Sequence, residues 1–104
     1  MALSDSQKSS IESKKRDIER KKSEIENVKQ QKDRYQSNTK IMINNYKESL
    51  KNAKDPNSKS TFRNSVESTT KTMKNQIENY NRDIENIKRN IASLKEEINR
   101  IKSR

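Results

Sequence analysis

The sequence predicts an all-α protein, a single two-helix antiparallel coiled-coil hairpin over residues 1–104 that completes a four-helix bundle with a partner or a second copy. Three observations support this fold class. Apolar residues recur with heptad spacing in both halves of the chain. The only proline, Pro56, lies in a polar stretch near the middle. The tetrapeptide Arg-Asp-Ile-Glu occurs at residues 16–19 and again at residues 82–85.

The first half predicts a helix over roughly residues 6–54. Lys14, Lys21 and Lys32 share its hydrophobic seam, meaning the a and d positions of the heptad. A lysine there can bury its methylene groups and keep its ammonium in water, but it weakens the seam. Helix 1 is therefore the poorer half of the pair. Thr39 also falls at an a position, and the seam residues assigned to a partner interface are Ile11, Ile18, Ile25, Val28, Tyr35, Met42 and Tyr46.

The break between the helices is predicted at residues 55–58, because proline disfavours helix at the preceding residue and cannot donate an interior helix bond. Asp55 and Asn57 flank Pro56 and suit a turn or a cap. Leu50, Pro56 and Phe62 mark the hairpin tip, where Phe62 either plugs a local cluster or anchors a partner. The neighbouring stretches are rich in Asn, Ser and Thr, which are weak helix formers, so the tip is predicted to be the more mobile end.

The second half predicts a helix over roughly residues 59–103, and its heptad pattern is the stronger one. From Ile77 onward the apolar residues are spaced 3-4-3-4-3-4-3 without a break. One register places Ile11 near Ile101 and Ile18 near Leu94, and a shift of one heptad fits equally well. The residues assigned to a partner interface on this helix are Met73, Ile77, Tyr80, Ile84, Ile87, Ile91, Leu94, Ile98 and Ile101.

The repeated tetrapeptide places Ile in the seam, Asp at position g and Glu at position b of both helices. Lysines occupy position e in both helices. Antiparallel neighbours pair g with g and e with e, which sets acid against acid and lysine against lysine. We therefore hypothesise that a further helix, running parallel to one of these two, supplies the complementary charges.

The composition argues against most kinds of chemistry. The chain has no Cys, His, Gly or Trp, which excludes the usual zinc, haem and thiol sites and glycine-rich phosphate loops. No isolated carboxylate pair suggests acid–base catalysis. We expect no enzymatic activity, no cofactor, no metal and no small-molecule substrate. Met42 and Met73 are interpreted as core fillers and not as a metal site.

The net charge of +10 raises the question of nucleic acid. Basic residues are spread evenly and mixed with acids, and the three tyrosines, Tyr35, Tyr46 and Tyr80, fall on the seam. Nucleic acid is therefore not the expected partner. No apolar run is long enough to span a membrane, and the N-terminus lacks the features of a secretory signal. We expect a protein that is cytoplasmic or that is exported with a partner by a non-Sec route.

The length, the two amphipathic helices and the short break at Asp55-Pro56-Asn57 resemble the small helical-hairpin proteins of type VII (ESX) secretion, most of all those encoded beside LXG-type toxins. The Trp-Xaa-Gly turn and the Tyr-x-x-x-Asp/Glu export signal of that group are absent. The resemblance implies an adaptor that pairs with a toxin's helical N-terminal domain, with the partner carrying or completing the signal. Two alternatives stay open: a homodimeric structural coiled coil and a basic nucleic-acid-associated protein.

Overall fold

The computed structural model describes residues 2–104 as two long α-helices, which confirms the predicted all-α helical hairpin. Helix α1 spans Asp5–Asn52 and helix α2 spans Pro56–Ser103, so the connection is residues 53–55. The chain forms two compact units. The terminal unit combines the start of α1, up to Lys29, with Arg82–Arg104. The loop unit is Gln30–Asn81, and it contains the connection.

Helix α1 begins with a capping box. The backbone N–H of Gln7 donates to the Ser4 hydroxyl oxygen at 3.0 Å, and the Gln7 side-chain oxygen accepts from the Ser4 backbone N–H at 2.8 Å. The two bonds satisfy donors that the first helical turn leaves free. Asp5 adds a negative charge in the same turn, where the helix dipole favours it.

Helix α2 begins at Pro56, earlier than the predicted residue 59, so Pro56 is a helical residue and not part of the turn. Asp55 is the N-cap: its carboxylate accepts hydrogen bonds from the Ser58 backbone N–H and from the Ser58 hydroxyl, both at 2.8 Å. The first helical position has no intrahelical acceptor for an N–H, and proline has none to donate. Pro56, which was predicted to interrupt the helical pattern, is therefore the first residue of α2. Helix α1 ends at Asn52, two residues before the prediction.

The terminal unit contains a core of isoleucines at the predicted positions. Buried residues from α1 pack with buried residues from α2, and Leu3, Val28, Ile87 and Leu94 pack partly buried against them. Leu3 was not predicted to take part. The heptad pattern thus identified this core correctly, and its buried members are Ile11, Ile18, Ile25, Ile84, Ile91, Ile98 and Ile101.

The loop unit has a thinner core. Its buried residues are Thr39 and Ile43, each with 7% of its surface exposed. Other predicted seam residues of this unit are half-buried, namely Tyr35, Tyr46, Met73, Ile77 and Tyr80, and so are Leu50 and Phe62 of the predicted hairpin tip.

The prediction that Met42 fills the core was wrong, because Met42 is 48% exposed and its neighbour Ile43 is buried instead. An α-helix drifts by about 20° per heptad relative to a strict 3.5-residue repeat, unless apolar a and d residues enforce supercoiling. Lys32 and Thr39 occupy the preceding a positions in this unit and supply little apolar contact. The buried side of α1 therefore moves by one residue, from position 42 to position 43.

Candidate interaction surface

One ion pair links the two helices within the described part of the terminal unit. The ammonium of Lys14 lies 2.9 Å from a carboxylate oxygen of Glu97. The hydrogen bond from Lys14, together with its positive charge, lowers the pKa of Glu97. Lys14 lies three residues after Ile11 and Glu97 four residues before Ile101. The pair is therefore placed as expected for the register with Ile11 near Ile101, and not for a register shifted by one heptad.

The remaining ion pairs of the terminal unit are formed within single helices. They join residues three or four apart and have exposed side chains on both partners, so each is worth a few tenths of a kcal/mol. The Asp of the first tetrapeptide, Asp17, pairs with Arg20 in this way. These pairs lie within single helices and do not test whether a further, parallel helix binds. That hypothesis stays a prediction. The others are Lys22–Glu19, Lys29–Glu26, Lys88–Glu85 and Arg100–Glu96.

The residues assigned to a partner interface divide by burial. The seven isoleucines of the terminal core are already covered within the chain, so a partner could touch them only if the helices separated. Val28, Ile87 and Leu94 are half-buried and leave part of their apolar surface open. In the loop unit all but Met42 of the assigned residues are half-buried, and Met42 is exposed.

The tyrosines pack as seam residues. The rings of Tyr35 and Tyr80 have centroids 6.0 Å apart and planes inclined by 57°, a tilted arrangement that aromatic pairs favour. Both residues are half-buried, as is Tyr46. The rings of Tyr35 and Tyr80 are thus engaged with each other inside the loop unit.

A shallow groove of about 290 Å³ runs along one side of the loop unit. Tyr35, Thr39 and Met42 line it from α1, and Ser68, Thr69 and Thr72 line it from α2. Ile41 is 59% exposed and follows Lys40 in sequence; with Met42 it forms the pair of large, exposed hydrophobic side chains found in the described chain. Ile41 lies outside the a and d positions, and an isoleucine placed off the heptad pattern was the signal that could have identified it.

A second groove, of about 410 Å³, lies on another part of α2 in the same unit. Its lining differs chemically from the first, because it includes Glu67, Lys71 and Lys74 beside Val66 and Thr70. The Thr70 hydroxyl donates to the carbonyl of Val66 at 2.7 Å, so it is used within the helix. The two grooves thus present a neutral surface and a charged surface.

Two carboxylates have a pKa below the usual value, each because of a hydrogen-bonding neighbour. Hydrogen bonds from the backbone and side chain of Ser58 lower the pKa of Asp55, and Lys14 lowers the pKa of Glu97. Within residues 2–104 there is no group of three or more Asp, Glu, His or Cys placed to hold a metal ion. Neither described helix has a stretch apolar and long enough to cross a membrane.

Comparisons with protein-family models, with curated protein sequences and with solved structures found no match to this chain.

Proposed function

We propose that this protein is a non-enzymatic protein–protein interaction module, an adaptor that binds the helical N-terminal domain of a toxin secreted by the type VII route. The observation that carries the proposal is the thinness of the core. None of the described side chains is completely enclosed, and the eight buried hydrophobic residues keep 4–8% of their surface exposed. Small scaffolds with so little enclosed apolar surface usually gain stability from a partner.

A partner helix would add the missing layer. Two helices packed along one stripe leave the edges of that stripe half-buried, as they are at Val28, Ile87 and Leu94. Helices laid against these edges would bury them and extend the hairpin to a larger bundle. The long helical domain expected in such a toxin could supply helices that pack against these half-buried edges. The assignment to type VII secretion itself rests on the resemblance in length and layout.

Co-expression tests the proposal. The chain is produced with the N-terminal domain of an LXG-type toxin encoded beside it, and the tag is placed on the toxin domain. We expect the two to co-purify as a stoichiometric complex and the thermal midpoint of the chain to rise with the concentration of the toxin domain. An unrelated helical domain of similar length and charge serves as the control.

Failure of the toxin domain to retain the chain, or equal retention by the control domain, would refute the adaptor function. Location gives an independent measurement. An adaptor of this kind is expected in the cytoplasm, or in the culture medium together with its partner and dependent on type VII secretion. Appearance in the medium of a strain without that secretion system would contradict the proposed export route.

A further inference from the structure

One side of the loop unit is free of charge although 38% of the chain is charged. Its residues recur at intervals of three and four along each helix and therefore share a side, and the groove of about 290 Å³ joins the two helices there. Arg34 and Glu48 border it on α1. We call it the neutral face, and its members are Tyr35, Asn38, Ile41, Met42 and Asn45 on α1 and Ser65, Ser68, Thr69, Thr72 and Gln76 on α2.

The neutral face also carries the exposed apolar surface of the unit. Ile41 and Met42 are 59% and 48% exposed, although Ile43 beside them is buried. Contiguous exposed apolar surface with a polar rim marks interaction sites, whereas exposed apolar residues scattered singly do not. Ile41 and Met42 are consecutive residues. Asn38 and Asn45 provide the polar rim on α1, and the groove lies next to Met42.

We propose that the neutral face binds a second copy of this chain, forming a two-fold symmetric dimer. Charge decides in favour of a copy. Residues 30–81 hold ten Lys and Arg against five Asp and Glu, so two copies repel each other wherever their basic surfaces meet. A face without charges is where that repulsion is weakest, since the charged groups stay at its border and are screened by salt. An acidic partner would instead gain most by contacting the lysines, which this face lacks.

The polar groups of the neutral face suit contact with themselves. A two-fold axis brings the same surface together from both copies, so each group must find a partner among its own kind. Side-chain amides and hydroxyls both donate and accept hydrogen bonds, and Asn, Gln, Ser and Thr therefore meet this condition, whereas Lys or Glu alone would not. Ile41 and Met42 of one copy would pack against the groove of the other.

The size of the face sets the expected affinity. From Tyr35 to Asn45 the helix rises by about 15 Å, so the buried area lies at or below the lower end of stable interfaces. We therefore expect a dissociation constant in the micromolar range or weaker. This dimer does not depend on the adaptor function, since it is formed by the isolated chain.

Sedimentation equilibrium of the full chain, from roughly 5 to 500 μM, tests the proposal across the affinity range expected for a small interface. Wild-type protein should dimerise. Met42→Lys and Met42→Glu should each weaken the dimer by at least about tenfold, because either charge would be desolvated in the contact. Met42 is exposed, so both variants should fold, as far-UV circular dichroism can verify. Asn81→Lys and Asn81→Glu make the same charge changes at an exposed residue of α2 in the same unit, on a different side of the helix from the neutral face, and should leave the dissociation constant unchanged.

Each contrary result would overturn the proposal. A wild-type chain that stays monomeric over the whole range has no such interface. Dimers unaffected by either Met42 variant would form through another surface. Opposite effects of Met42→Lys and Met42→Glu, or equal effects of the Asn81 variants, would show that net charge and not the neutral face controls association.

Discussion

The one-residue shift of burial in α1 predicts a large difference between adjacent isoleucines. Ile43→Ala should destabilise the protein strongly, and Ile41→Ala should not, although the two changes remove the same atoms. Ile43 keeps 7% of its surface exposed and Ile41 keeps 59%. The comparison isolates burial, because both residues lie on the same helix and in the same unit.

The magnitude follows from the thin core. Ile→Ala at buried sites costs about 2–5 kcal/mol, and the higher costs belong to sites that cannot relax. Ile43 lies in a unit where few side chains are buried, so its neighbours can close part of the space, and we expect about 2–3 kcal/mol. Ile41→Ala should change the free energy of unfolding by less than about 0.5 kcal/mol, with alanine's helix propensity offsetting the small loss of contact.

Urea unfolding followed by far-UV circular dichroism measures both values. With a slope of about 1–3 kcal/mol per molar urea, the Ile43→Ala midpoint should fall by roughly 0.7–3 M. The experiment is done at low micromolar protein, where the proposed dimer through Ile41 and Met42 dissociates. If the heptad pattern continued without the one-residue shift, Met42 would be buried in place of Ile43. A larger decrease in the free energy of unfolding for Met42→Ala than for Ile43→Ala would therefore refute the burial of Ile43.

Further predictions concern the seam lysines and two carboxylates, and all are measured by urea unfolding. Lys21→Leu should raise the free energy of unfolding by about 1 kcal/mol, because Lys21 is half-buried at a seam position; Lys14→Leu should gain less, since it breaks the ion pair with Glu97. Hydrogen bonds from the backbone and side chain of Ser58 lower the pKa of Asp55, so its stabilising effect is complete above the unfolded pKa of about 3.9 and is lost as the pH falls through the lower folded value. Asp55→Asn, which keeps a capping side chain, should flatten stability over that acidic range, and an unchanged pH profile would contradict the capping role. Glu97→Gln should likewise reduce the loss of stability in acid, because the Lys14 hydrogen bond and charge lower the Glu97 pKa, and a steeper loss would contradict that cause.

The terminal core could be predicted from sequence because its isoleucines repeat every seven positions and no adjacent isoleucine suggests a different buried side. Ile11, Ile18 and Ile25 recur on α1, and Ile84 and Ile91 on α2, and each is buried. No neighbouring isoleucine offered an alternative face. The pattern alone therefore determined which side of each helix turns inward.

The loop unit could not be predicted to the same degree, and the reasons are local. Ile41, Met42 and Ile43 are three consecutive apolar residues, so periodicity by itself could not decide which one is buried. Pro56 was read as a break, but a proline that follows an N-cap residue also starts a helix. The capping bonds of Asp55 are what decide between the two, and they depend on side-chain geometry.

The one-residue shift of burial in α1 and the start of α2 at Pro56 both lie in the unit that carries the neutral face. If stability alone had shaped this unit, charged residues would occupy positions 41 and 42, as charged residues occupy much of the exposed surface of the terminal unit. Position 39 would hold an apolar residue. Instead Thr39 is buried while Ile41 and Met42 are exposed. Local rules are broken most often where a surface has another use. The neutral face therefore explains the exposed pair more economically than helix drift alone, since drift accounts for the burial of Ile43 but not for two hydrophobic residues left in water beside it.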